Sequence, residues 1–218
     1  MEQLTLATSE QKLILNEINK QSSFFSQFYF TGGTALSYWY LKHRYSDDLD
    51  FFSEKPFDMS ELLSIIKQWS TKHSFEVTVD KYQTMNIFNF TFSNKQKLKV
   101  DFVHHFQKRV EKGTAWKSIA IDSLLDIAIN KLLTINQRTT VKDFVDLFFL
   151  LKSYSLYDLM EGVKVKYGVK LDTLLIASDF LKVEDFTFLP RMIKPFKLTD
   201  LVSFFRDQAT RLSRESVE

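Results

Sequence analysis

With 218 residues, 44% of them hydrophobic, the chain can bury a full core and fits one domain or two small, closely packed ones. Its net charge of +2, from 29 Lys and Arg against 27 Asp and Glu, is too small to argue for nucleic acid by itself, and the absence of cysteine excludes disulfides, thiolate catalysis and cysteine zinc sites. Nor do the four histidines, His43, His73, His104 and His105, provide a zinc spacing. Met1, Glu2 and Gln3 open no targeting peptide, and no apolar run approaches the roughly 18 residues of a membrane span. The longest such run, around Phe144 to Leu151, is interrupted by Asp146. The expectation is a soluble, cytoplasmic protein with no membrane partner.

In chain order, Ser9 to Lys20 carries Leu13, Ile14 and Ile18 at helical spacing, with Ser9 as the expected N-cap. Phe28 to Phe30 reads as a short buried strand that enters the turn Thr31-Gly32-Gly33-Thr34. Thr34 to Lys42 reads as a helix with Leu36, Trp39 and Tyr40 on one side, and Leu49 to Phe52 as the next strand. From Asp58 or Ser60 to Lys72, the residues Leu62, Leu63, Ile65, Ile66 and Trp69 make an amphipathic helix. Phe75 to Val79, Met85 to Phe92 and Leu98 to Val103 alternate apolar with polar residues as half-buried strands do, and Asn94 and Lys95 mark a hairpin. After Gly113 the period changes. Ile121 to Ile135, Lys142 to Ser153, Tyr157 to Tyr167, Leu171 to Phe180 and Thr199 to Arg214 all read as helices. The 22 phenylalanines fall mostly at core periodicity, while Phe24, Phe25, Phe28 and Phe30 are expected to wall a site rather than stack on a base.

Chemistry concentrates in two stretches. In the first, the glycine pair Gly32 and Gly33 lets the backbone approach a phosphate chain without a Cβ in the way, and the helix that follows aims its first amides at the anion. Asp48 and Asp50, spaced i and i+2 on a strand, point to one face and can share one or two magnesium ions, while Asp47 and Leu49 face away. On the predicted strand Leu98 to Val103, Asp101 faces away from its apolar neighbours Val100 and Phe102, and is either an exposed strand residue or a further carboxylate for the same site. In the second stretch, Asp143 and Asp146 are i and i+3 on one helix face, with Lys131 on the preceding helix facing them across an antiparallel pair. That group is either a structural salt bridge or a phosphate-binding lysine with carboxylates that orient it or the acceptor. Arg138 and Lys142 extend an anion-binding surface. Arg44 and Ser46 are candidates for phosphate or sugar contact, or simply for turn formation. His43 fits an orienting or surface residue better than a metal ligand. The clusters Lys95, Lys97, Lys99, Lys108, Arg109, Lys112 and Lys117, and Lys164, Lys166, Lys170, Arg191, Lys194 and Lys197, are solvated faces or phosphate contacts.

The run Gly32-Gly33-Thr34-Ala35-Leu36, then His43-Arg44, Ser46 and Asp48-Leu49-Asp50-Phe51-Phe52, resembles the AbiEii/AbiGii toxin family of the polymerase-β-like nucleotidyltransferase superfamily. Asp126 with Lys131, and Arg138, Lys142, Asp143 and Asp146, resemble that family's later motifs in the same order. Departures are a slightly longer spacing from Gly33 to Asp48 and the extra acid Asp47, and no motif is recognised beyond Leu151. The resemblance implies an α+β fold, a mixed sheet with flanking helices followed by a C-terminal helical bundle. With the change of period after Gly113, the expected division is a nucleotidyltransferase α/β domain over 1-117 and a helical domain over 118-218. The resemblance further implies transfer of NMP from an NTP to an acceptor hydroxyl, with pyrophosphate leaving. Asp48, Asp50 and Asp101 would hold Mg2+ (or Mn2+), and Asp101 could take the acceptor proton. Gly32, Gly33 and Thr34 would cradle the β and γ phosphates. The setting implied is the toxin of a toxin-antitoxin or phage-defence module, with tRNA or another RNA as acceptor and a cognate antitoxin as partner. The alternatives are a small-molecule or protein nucleotidyltransferase, and a non-catalytic interaction protein that retains the fold.

Overall fold

The computed structural model describes residues 7–215, which divide into two compact units. The first comprises the chain up to Tyr40, Ser46–Lys108 and Lys112–Ser123. The second comprises Leu41–Tyr45, Arg109–Glu111 and the chain from Leu124 onward. Among the described residues no helix is long and apolar enough to cross a membrane.

The first unit is built on a mixed sheet of seven strands: β1 (Tyr29–Thr31), β2 (Leu49–Ser53), β3 (Glu76–Lys81), β4 (Met85–Thr91), β5 (Lys97–His104), β6 (Ala115–Trp116) and β7 (Ile119–Ile121), in the order β3-β4-β5-β2-β1-β7-β6. The central pair β2 and β5 is parallel, which puts Asp50 directly beside Asp101, and β1 runs antiparallel to β2 with Thr31 opposite Asp50. Leu49 and Phe51 are buried and alternate with the half-buried Asp50 and Phe52, so strand periodicity alone separates an apolar face from a face bearing carboxylates. On the apolar side Phe51 stacks on Phe102 and Phe30, and Phe102 meets Phe25 and Phe28. Phe24, Phe25, Phe28 and Phe30 are therefore buried core residues and do not wall the site: Phe25 packs against Trp69 and Phe102, Phe28 against Phe102, Phe24 against Phe25 and Phe28, and Phe30 against Phe51.

Helix α1 (Ser9–Lys20) is capped by Thr8 rather than Ser9. The Thr8 hydroxyl accepts from the Gln11 amide at 3.2 Å and the Gln11 side chain returns the bond to the Thr8 amide at 2.9 Å. A short α2 (Ser22–Phe25) leads into β1. The expected helix after the glycines is one α-turn, α3 (Gly32–Ala35), continuing as a π-helix over Leu36–Leu41. α4 (Met59–His73) is capped by Asp58 and buries Leu62, Ile65, Ile66 and Trp69. The strands β6 and β7 were not expected from the sequence. Ile121, read there as the start of a helix, ends β7, and it pairs parallel with Phe30.

At the end of α1, Glu17 is 4% exposed and accepts from Lys20 at 2.7 Å and from Lys72 of α4 at 3.0 Å. Burial pushes its carboxyl up, but the two ammonium groups outweigh burial and bring its pKa from 4.5 to about 2. A carboxyl depressed in the folded state stabilises above its ordinary pKa, and that contribution fades as pH falls from about 4.5 towards 2. Glu17→Gln should therefore lose less stability than the parent protein between neutral pH and about pH 3 in urea unfolding. Equal losses in the two proteins would remove Glu17 from the acid response.

The second unit is helical: α5 (Leu124–Gln137), α6 (Val141–Leu150), α7 (Leu156–Tyr167), α8 (Thr173–Leu181), a 3₁₀ turn at Lys182–Asp185, and α9 (Leu198–Glu215). Leu201, Phe205, Ala209 and Leu212 recur on one face of α9 and are buried. Phe205 packs edge-on to Phe144 and Phe180 at 5.0 and 4.9 Å, and burying each such ring is worth roughly 2 kcal/mol.

Candidate active site

The carboxylates of the first unit are positioned by backbone as much as by side chains. Gly32 has φ +73°, and a Cβ there would lie 2.1 Å from Asp50 Oδ2. Only glycine permits both that conformation and so close an approach. The Thr34 hydroxyl, fully buried, donates to the Asp48 carbonyl. Gln11, buried in α1, donates from Nε2 to the carbonyls of Ser46 and Asp47, each at 3.0 Å, while the Tyr38 hydroxyl donates to Gln11 Oε1 at 2.6 Å. The approach to β2 is thus pinned at three successive carbonyls, those of Ser46, Asp47 and Asp48. The sequence reading missed Gln11 and Tyr38, since a buried glutamine carries no motif.

Asp48 stands one residue before β2, half-exposed, and Asp50 lies within it. Asp101 is 5% exposed, and its Oδ1 is buried with no hydrogen-bond partner. A lysine joins them. Lys99, two residues before Asp101 on the same face of β5, places Nζ 2.9 Å from Asp101 Oδ2 and 3.9 Å from Asp48 Oδ2. Burial lifts the Asp101 pKa, Lys99 opposes that rise, and the charge of Asp48 adds to it. Burial disfavours the Lys99 ammonium, but Asp101, Asp48 and Asp50 together hold its pKa above the ordinary value. Among the described residues no three His, Asp or Glu side chains converge into a ready-made metal cage. The donor set is nonetheless one of carboxylate oxygens, suited to a hard cation such as Mg2+.

Of the remaining predicted residues, Lys131, Asp143, Asp146 and Arg44 come together in the second unit, with His43, as one buried charge network. Lys131 Nζ reaches Asp143 Oδ1 and Asp146 Oδ2, each at 2.7 Å. Arg44 grips Asp146 with two nitrogens, Nε at 2.7 Å and Nη2 at 2.8 Å. His43 Nε2 is 2.7 Å from the same carboxylate. Asp146 is fully buried; burial would raise its pKa, but Lys131 and Arg44 hold it well below the carboxylate range. Burial lowers the His43 pKa, so the neutral ring donates from Nε2 to Asp146 and leaves Nδ1 buried without a partner. Arg138, 62% exposed, donates from Nε to Asp143 at 2.9 Å, and Lys142 is exposed. The phosphate contact expected of Arg44 does not fit this geometry, because its side chain is 2% exposed and engaged with Asp146 and the Tyr45 carbonyl. Asp126 is an anchor: fully buried against Lys166, it also accepts from the amides of Val110 and Glu111 at 3.0 Å.

A family model for the nucleotidyl transferase AbiEii toxin of type IV toxin-antitoxin systems matches residues 13–212. The chain belongs to this AbiEii family. Its activity class is accordingly nucleotidyl transfer. An uncharacterized protein of Aquifex aeolicus is 33% identical over 164 residues, 73% of this chain and 75% of that protein. JHP933 from Helicobacter pylori is similar in structure with a TM-score of 0.59 at 20% identity, over 94% of this chain and 90% of that one. MenT4, a nucleotidyltransferase toxin from Mycobacterium tuberculosis, has a TM-score of 0.54 at 14% identity, over 98% and 90% of the two chains. At those identities the structural likeness is one of fold, a mixed sheet with flanking helices followed by C-terminal helices, as the AbiEii resemblance implied.

Proposed function

We propose that this AbiEii protein is a magnesium-dependent (or manganese-dependent) nucleotidyltransferase that moves NMP from an NTP to a hydroxyl of RNA, a tRNA end in particular. It would serve as the toxin of a toxin-antitoxin or phage-defence module in the cytoplasm. The carrying observation is the pairing of Asp50 with Asp101 across the parallel strands β2 and β5, with the Gly32 backbone packed against the Asp50 carboxylate. The unpartnered Oδ1 of Asp101 supports the same reading, since a buried acceptor without a donor favours a ligand that supplies one or a cation.

In this proposal Asp48, Asp50 and Asp101 hold the cation. When bound, magnesium supplies positive charge to the triphosphate and makes the acceptor hydroxyl easier to deprotonate. Asp101, whose pKa burial raises, can accept the proton of that hydroxyl at a carboxylate oxygen. Gly32 and Gly33 offer the backbone to the β and γ phosphates, and Thr34 keeps Asp48 in place through its carbonyl. Lys131 has two of its three N–H donors engaged by carboxylates, and the third can donate to a phosphate oxygen. Asp143 and Asp146 orient it, Arg138 and Lys142 extend the anion surface, and Ser46 serves as a sugar or phosphate contact. A cognate antitoxin is the regulating partner.

The test is incubation with each labelled NTP, magnesium and total cellular RNA, resolved on a gel. One NTP should label RNA with the parent protein and not with Asp50→Asn. Label on protein or on a small molecule would replace RNA as the acceptor. No transfer from any NTP would overturn the catalytic reading in favour of an interaction protein.

A further inference from the structure

Among the described residues, Lys99 is a cation within reach of Asp101 and Asp48 to which the proposed mechanism gives no task. Its position is set by strand periodicity: on β5, Lys97, Lys99 and Asp101 share a face, and the β2–β5 pairing brings that face beside Asp50. The ammonium touches Asp101 Oδ2 and lies near Asp48, and the side chain is 37% exposed. Asp101 Oδ1 is left buried and unpartnered at the same place, so Lys99 satisfies the acids only in part.

We infer that Lys99 is a resident counter-ion that makes the acidic set of Asp48, Asp50 and Asp101 a poor site for a bare divalent cation and a better one for a cation arriving with a nucleoside triphosphate. The inference rests on the nucleotidyl-transfer reading of that site. Three carboxylates attract a lone divalent cation strongly, and they repel a metal–triphosphate complex, which carries net negative charge. One ammonium among them weakens both effects at once. A unit charge within a few ångströms at a partly exposed site changes affinity by about tenfold or more, with opposite sign for the two ligands. Lys99 would thereby couple metal entry to substrate entry. It is an affinity-determining residue, and it takes part in no bond that forms or breaks.

The opposite signs make the test specific. Free Mn2+ is measured by electron paramagnetic resonance in titrations of the parent protein, Lys99→Met, Lys99→Gln and Lys99→Arg, alone and with α,β-methylene analogues of the four ribonucleoside triphosphates. Lys99→Met and Lys99→Gln should bind Mn2+ alone about tenfold more tightly and the Mn2+–analogue complex about tenfold more weakly, with Lys99→Arg close to the parent in both. Parallel shifts of the two affinities, or none, would overturn the role of Lys99 while leaving the metal site standing. Failure of the parent protein to take Mn2+ with any of the four analogues would overturn both this inference and the nucleotidyl-transfer reading beneath it.

Discussion

Asp146→Ala should cost about 3 to 5 kcal/mol of folding stability, the usual penalty for removing one partner of a buried ion pair and leaving its opposite charge uncompensated. The carboxylate is fully buried and accepts from Arg44 twice, from Lys131 and from His43. Its removal takes from the buried Arg44 guanidinium the carboxylate it grips with two nitrogens, and leaves the Lys131 ammonium with Asp143. For a chain of this length the melting temperature should fall by roughly 10 °C, at about 2 to 4 °C per kcal/mol. Arg138→Ala is the control. That guanidinium also touches the network, through Asp143, but is 62% exposed, and screened pairs contribute about 0 to 1 kcal/mol. The dependence on pH has a definite sign. Asp143 and Asp146 are both held below the ordinary carboxylate pKa, so their contribution is intact above that value and lost as pH falls beneath it. A loss in Asp146→Ala no larger than in Arg138→Ala, measured by urea unfolding, would show that the cations find other partners.

Asp50→Asn should leave the protein folded and reduce transfer about a thousandfold or more, because charge stabilisation by a metal is worth several kcal/mol and each 1.4 kcal/mol is a factor of ten. Asp50 is half-buried, with the like-charged Asp101 as its cross-strand neighbour and the Lys99 ammonium nearby. Replacing it with a neutral isostere relieves repulsion in the metal-free protein, so thermal stability should be equal or higher. Asp48→Asn should behave similarly. The pairing of unchanged melting with lost turnover is the diagnostic. Near-normal turnover at saturating magnesium in either variant would remove that carboxylate from the metal site, whereas a falling melting temperature would mark it as structural.

The acidic strand and the glycine turn were legible because each depends on local spacing. Gly32, Asp48 and Asp50 lie within one short stretch, and alternation along β2 sets the direction of Asp50. The facing of Lys131 and Asp143 followed from consecutive helices. The partnership of His43 and Arg44 with Asp146 was not legible, since more than a hundred residues separate them and nothing in a helix pattern names a distant partner. Lys99 was readable in principle as i−2 from Asp101 on a strand, but among Lys95 and Lys97 it looked like part of a solvated face. The π-helix at Leu36–Leu41 has no periodic signature that separates it from an α-helix. The β6–β7 hairpin escaped notice because its strands are two and three residues long, and its turn places Lys117 at φ 55° where glycine or asparagine would have signalled it.

The interleaving of the two units along the chain bears on how this protein can be dissected or recombined. A single cut near Ser123 would separate most of the sheet from most of the helices, yet it would deprive the helical part of Arg44 and His43, which belong to its charge network, and of Val110 and Glu111, whose amides cap Asp126. Neither half is therefore a self-sufficient cassette. A chimaera that exchanges the helical region of one relative for that of another must carry Leu41–Tyr45 and Arg109–Glu111 with it, or rebuild their contacts from the host sequence.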